Sequence, residues 1–230
     1  MRSNGKHPLI IPRNVWVLGI VSLLMDLSSE MILSILPIFL VTGLGVSVLT
    51  LGLIEGFAEG AASVIKAFSG MLSDYLKKRK ILIVIGYGLS TLTKPFFALA
   101  STATWIFVAR FVDRLGKGIR GAPRDSLIAD STSTKIRGTA YSLRQSLDTV
   151  GALLGPIIAI IILYLTTNNF RLVLWFAVIP AVLCIVVLVF GVKETTLKKN
   201  ISSKKSYFLF KNFSKITPVI WLFFLTIFIL

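Results

Sequence analysis

The chain has 230 residues, of which 55% are hydrophobic and only 15% charged, with a mean hydropathy of +0.84. A soluble domain carries roughly a quarter charged residues, so this composition excludes most soluble folds. The net charge of +15 would point to nucleic acid in a soluble protein; in an apolar chain the cations belong in loops that flank membrane spans, and no nucleic-acid partner is expected.

Apolar runs predict six helices, over 14–42, 47–73, 80–101, 103–129, 138–166 and 170–191, each able to cross a bilayer, which takes about 20 residues. The first follows Arg2, Lys6 and Arg13 as a signal peptide would. It continues through Asp26 and Glu30 without a small-x-small cleavage site, so an uncleaved helix is expected. In the third, Lys94 beside Pro95 predicts a break, and Lys94 there either meets a solute or snorkels. Beyond the sixth, residues 192–215 form a basic linker that can touch anionic lipid. A seventh apolar run, 216–230, is 15 residues long and too short to cross, so the chain reads as a six-helix half with an incomplete seventh helix.

Lysine and arginine placement predicts the orientation. Sixteen cations lie in the N-terminal tail, the loops after helices two and four, and the segment from Lys193 to Lys215, whereas the opposite loops offer only Arg171. The N-terminus and the linker are therefore expected in the cytoplasm. Cys184 lies within an apolar run and His7 is alone in the tail, so no disulfide, metal site or cofactor is expected.

Apart from Lys80 and Arg171 at span ends, fifteen charges fall inside the predicted spans: Lys66, Lys94, Arg110, Arg114, Lys117, Arg120, Arg124 and Arg144, with Asp26, Glu30, Glu55, Glu59, Asp113, Asp125 and Asp148. A charge facing lipid near the bilayer centre costs about 3 kcal/mol or more, so these must face one another or water. Asp26 and Glu30 are one turn apart, as are Arg144 and Asp148, and Arg110 to Arg124 form a stripe along helix four. Four helices thus each present a polar face, which predicts a bundle with a polar interior that moves a polar solute or protons. Arg144 with Asp148, and Asp113 with Lys117, can equally be ion pairs that only join helix turns. Asp26 and Glu30 repel each other, which makes them candidates to bind and release a proton.

Three motifs stand in order along the chain. Gly70-Met71-Leu72-Ser73-Asp74 is followed by a basic turn with Arg79; Gly70 permits close helix approach, and Asp74 can accept from a helix N-terminus or a basic side chain. Helix four carries Asp113-Arg114-Leu115-Gly116-Lys117-Gly118-Ile119-Arg120-Gly121-Ala122-Pro123-Arg124-Asp125, where the glycines allow close contact or partial unwinding. No Gly-Lys-Ser/Thr follows and no strand precedes, so this is no nucleotide loop. Helix five has Gly151-Ala152-Leu153-Leu154-Gly155-Pro156, a close-packing Gly-x-x-x-Gly with a proline kink.

Together these resemble the major facilitator superfamily: its loop 2–3 signature, its helix-four arginine followed by glycine at Arg114 and Gly118, and its antiporter motif at Gly151, Gly155 and Pro156. The helix-four string is similar to that of a prokaryotic branch. The sequence departs from the family where Tyr75 replaces a basic residue, Lys77 a second glycine, and Ala159-Ile160 a closing glycine pair. The resemblance implies an all-α integral-membrane fold, the N-terminal six-helix bundle of a twelve-helix transporter working by alternating access. It further implies a prokaryotic inner membrane, a missing C-terminal half, and export in exchange for protons rather than enzymatic catalysis. On this reading Asp26, Glu30, Lys94, Arg114 and Arg120 line a central cavity, Gly70, Asp74 and Arg79 form a cytoplasmic gate, and Glu55 and Glu59 serve either. The many cations suggest a small polar or anionic solute. A transport-incompetent fragment and a membrane-embedded enzyme are the competing classes.

Overall fold

The computed structural model describes residues 11–194, and every regular element among them is helical. Helix α1 spans Arg13–Ile38 and continues as a wider π-helical turn, Phe39–Gly43. Then come α2 (Val48–Leu76), α3 (Arg79–Leu99), α4 (Ala103–Ser131) and α5 (Arg137–Leu165), followed by α6 (Phe170–Phe176) and α7 (Val178–Gly191). Residues 195–230, with most of the basic linker and the seventh apolar run, lie outside the described residues.

Short polar residues start several of these helices by taking backbone N–H groups that the first turn leaves free. Ser47 accepts from Thr50 N, Thr102 from Trp105 N and Asn169 from Leu172 N. The break expected at Pro95 does not occur. Helix α3 runs through it to Leu99, because a proline this close to the end removes one backbone bond and little else. The sixth crossing is instead the interrupted one. Pro180 has no N–H to return to Phe176, and Ser28 of α1 donates to the Ala177 carbonyl at 2.6 Å, so the ladder opens between α6 and α7.

Helix α1 packs on α5 and α7, while α4 packs on α2 and α3. The two seams depend on missing side chains. A Cβ on Gly86 would stand 2.7 Å from Gly116 O, and one on Gly118 2.6 Å from Ala62 O, so α4 lies backbone to backbone against α3 and α2. Across the other seam a Cβ on Gly151 would collide with Leu23 O, and one on Gly155 with Glu30 Cβ. The helix-four glycines therefore serve close contact; α4 is helical without interruption from Ala103 to Ser131.

Two apolar clusters close the ends of the bundle. One gathers Ile32, Ile35, Leu36, Phe97, Ile106 and Val173, and the other Leu18, Met25, Ile83, Leu127, Cys184 and Leu188. Nearly all charges of the spans lie between them along the helices. Outward faces are apolar, as at Leu53, Phe57, Leu92, Leu153 and Ile160, and suit a lipid surround. Five of the six crossings are long and apolar enough to span a membrane; α4 has the length but carries the charged stripe.

Candidate functional site

The stripe on α4 does not stay on one partner. Its first part turns to α3 and α2: Asp113 pairs with Lys94 at 3.1 Å and with Arg110 at 3.6 Å, and Arg110 holds Glu55 through two bonds of 2.7 and 2.6 Å. Lys94 also donates to Ser29 of α1 at 3.0 Å. Lys94, Arg110 and Asp113 are 1%, 2% and 4% exposed, so this cluster is a buried, mutually neutralised strut between four helices. Asp113 thus does not pair with Lys117, as the one-turn spacing allowed, because the buried Lys94 reaches it from α3.

Next along the stripe, Arg114 and Lys117 both reach Glu59 of α2, at 3.1 and 3.9 Å. The last part turns towards α3 and α1. Arg120 stacks its guanidinium 4.4 Å above the Tyr87 ring and donates to Ser90, and Arg124 donates to Ser22 and Tyr87 at 3.1 and 3.4 Å. On α5, Arg144 and Asp148 form the expected pair at 3.3 Å.

Between these helices opens a cleft of about 370 Å³. Asp26 and Glu30 line it from α1, Asp148 from α5, Glu59, Ser63 and Lys66 from α2, and Lys117, Arg120 and Arg124 from α4. Of the residues assigned to a cavity from sequence, Asp26, Glu30 and Arg120 meet here. Lys94 stands behind the wall in the buried strut, and Arg114 behind it on Glu59. Asp26 has Asp148, Arg120 and Arg124 as its charged neighbours, a carboxylate pairing across α1 and α5 that helical spacing could not reveal. Four basic and four acidic side chains line the cleft, so its wall is not the cationic surface that the basic stripe suggested.

A second polar cluster closes the end of the bundle that carries the α2–α3 turn. Gly70 lets Ala122 of α4 come close, since a Cβ there would be 3.3 Å from that of Ala122. Arg79 bridges Asp130 of α4 at 2.8 Å and Asp74 of α2 at 3.6 Å. Asp74 therefore takes the basic side chain, and the N-terminus of α3 goes to Glu194, whose two oxygens accept from Arg79 N and Lys80 N at 3.0 Å each. The turn itself hinges on Lys77, which holds φ 53° and ψ 17°.

Over residues 18–230 the sequence matches the Major Facilitator Superfamily. The chain belongs to this superfamily. It is 33% identical over 200 residues to an MFS-type transporter of Methanocaldococcus jannaschii, covering 87% of this chain and 50% of that protein. It is 28% identical over 174 residues to the multidrug resistance protein MdtH of Photorhabdus laumondii, covering 76% and 40%. The chain thus spans about half the length of the curated relatives it matches. The fold is that of solved superfamily structures, including the human organic anion transporter MFSD10 (TM-score 0.68, 18% identity, covering 84% of this chain and 52% of that one). A peptide transporter POT in complex with sulfate is similar as well (TM-score 0.66, 19% identity, 99% and 48%).

Within the superfamily bundle, several polar residues that fix the charged groups were silent in the sequence. Ser22, Ser29, Tyr87 and Ser90 sit in apolar helices without a motif, yet they hold Arg124, Lys94 and Arg120 in place. The one available signal is that Ser22, Ser29 and Glu30 lie near one side of α1 with Asp26.

Proposed function

We propose that the protein moves a small polar or anionic solute across a membrane by alternating access, in exchange for protons and in the direction of export. The observation that carries this reading is the cleft, where eight ionisable side chains from four helices converge inside the bundle. Exposing them in a bilayer is costly, and a solute path is the use that repays it. In this reading residues 1–191 form the N-terminal half of the transporter, 192–215 a cytoplasmic linker and 216–230 the start of helix seven, with the cavity completed by a C-terminal half. The N-terminus lies in the cytoplasm of a prokaryotic cell and the bundle in its inner membrane, as the basic loops favour.

Asp26 and Glu30 are the proton site. Asp148 of α5 stands beside Asp26, so three carboxylates of the cleft lie close together. Arg120 faces the solute, while Lys94 and Arg114 hold the wall through Asp113 and Glu59. Asp74, Arg79 and Asp130 latch the cytoplasmic gate, seated by Gly70; Gly118, Gly151, Gly155 and Pro156 set the helix seams that rock.

The test is solute-driven proton movement in proteoliposomes of the full-length protein. Asp26→Asn with Glu30→Gln is expected to lower it at least tenfold while reconstitution is unchanged. Undiminished proton movement in that variant overturns the proton-site assignment.

A further inference from the structure

The cleft's charges are unevenly shared among the helices. The carboxylates Asp26 and Glu30 stand on α1, and the cations Lys66, Lys117, Arg120 and Arg124 on α2 and α4; of the other two carboxylates in the lining, Glu59 of α2 is taken by Arg114 and Lys117, and Asp148 of α5 by Arg144. Among the described residues, no ion pair of 4.0 Å or less joins Asp26 or Glu30 to any of these four cations, although opposite charges this close to one cavity ordinarily collapse together. The cations and the α1 carboxylates are instead held by other partners. Lys117 leans on Glu59 of α2, Arg120 on Tyr87 and Ser90, and Arg124 on Tyr87, Ser22 and Asp125. The Lys66 stem lies over Gly121, where any side chain would press on it. On the other side Glu30 is seated over Gly155, whose missing side chain leaves room for its Cβ. The gap is therefore built: the α1 carboxylates and the α2 and α4 cations stand unpaired with one another around about 370 Å³ of open space.

From this geometry we infer that the solute is zwitterionic, carrying an ammonium or similar cationic group for the α1 carboxylates and a carboxylate or similar anionic group for the α2 and α4 cations. This deepens the transport reading above and rests on it. A simple anion entering the cleft meets Asp26 and Glu30 with nothing to offer them, and a simple cation meets four basic groups. Only a solute with both charges satisfies both sets, and charged groups left without a partner in a desolvated site weaken binding strongly.

The experiment uses the purified full-length protein and a panel of neutral amino acids and dialanine, each beside its N-acetyl derivative, which is anionic, and its methyl ester, which is cationic. Binding is read by ligand-induced thermal stabilisation and flux by counterflow in proteoliposomes. At least one zwitterion is expected to bind tenfold or more tightly than both of its capped forms. Glu30→Gln is expected to weaken that zwitterion at least tenfold and spare the N-acetyl form, whereas Lys66→Gln weakens it and spares the ester. Equal or tighter binding of a capped form, or no binding by any zwitterion of the panel, overturns the inference. Zwitterion binding without counterflow supports the inference and contradicts the transport reading; counterflow of N-acetyl anions alone supports transport and overturns the inference.

Discussion

Lys77 occupies a left-handed backbone conformation where the superfamily pattern has glycine. A side chain there costs about 1 kcal/mol. Lys77→Gly should therefore raise the apparent melting temperature of the detergent-solubilised protein, and Lys77→Val should lower it. Lys94 works in the other direction. Lys94→Met leaves Asp113 buried with Arg110 as its remaining cation, and breaking such a pair costs about 3 kcal/mol. Adding Asp113→Asn to Lys94→Met should recover much of that loss, which a double-mutant cycle on the melting temperature will measure. At this scale the sequence was informative about which residues are charged and poor about their partners. Spacing along one helix found Arg144 with Asp148, but it could not see Lys94 reaching Asp113 from another helix, nor Glu194 reaching the N-terminus of α3. Such partners depend on how helices cross, which no single-helix period encodes.

Helix ends were far more legible, since apolar runs and basic turns mark them directly, although the break predicted at Pro95 does not occur. The six predicted stretches and the observed helices differ by a few residues, apart from the interruption at Ala177, which needs Ser28 of another helix to complete it. The glycines illustrate the remaining gap: sequence shows a glycine, and only packing shows what it admits. Gly151 sits against the Leu23 carbonyl, so Gly151→Ala must push α5 from α1 and should cost about 1–3 kcal/mol. Gly88 has open space around its absent Cβ, so Gly88→Ala should be neutral or stabilise by up to about 1 kcal/mol through helix propensity. Thermal melts of the two variants, with the yield of an engineered α1–α5 crosslink, separate these outcomes.

Among the described residues, two apolar clusters flank a charged middle layer, and that layer opens into the cleft. The sequence made the layer visible through its fifteen misplaced charges, but its division into a buried strut and an open cleft emerged only from the packing of α4 against three neighbours. If the cleft is the path, its wall must be reachable in turn from each side of the membrane, whereas the outer faces of the same helices must not. Ser63 lines the cleft and Leu53 faces outward on the same helix. In the full-length protein with Cys184 and any other cysteine replaced, a membrane-impermeant thiol reagent should label Ser63→Cys in both right-side-out and inverted vesicles, and should leave Leu53→Cys unlabelled in both. Labelling of Ser63→Cys from one side only, whatever the pH gradient, would contradict alternating access through this cleft.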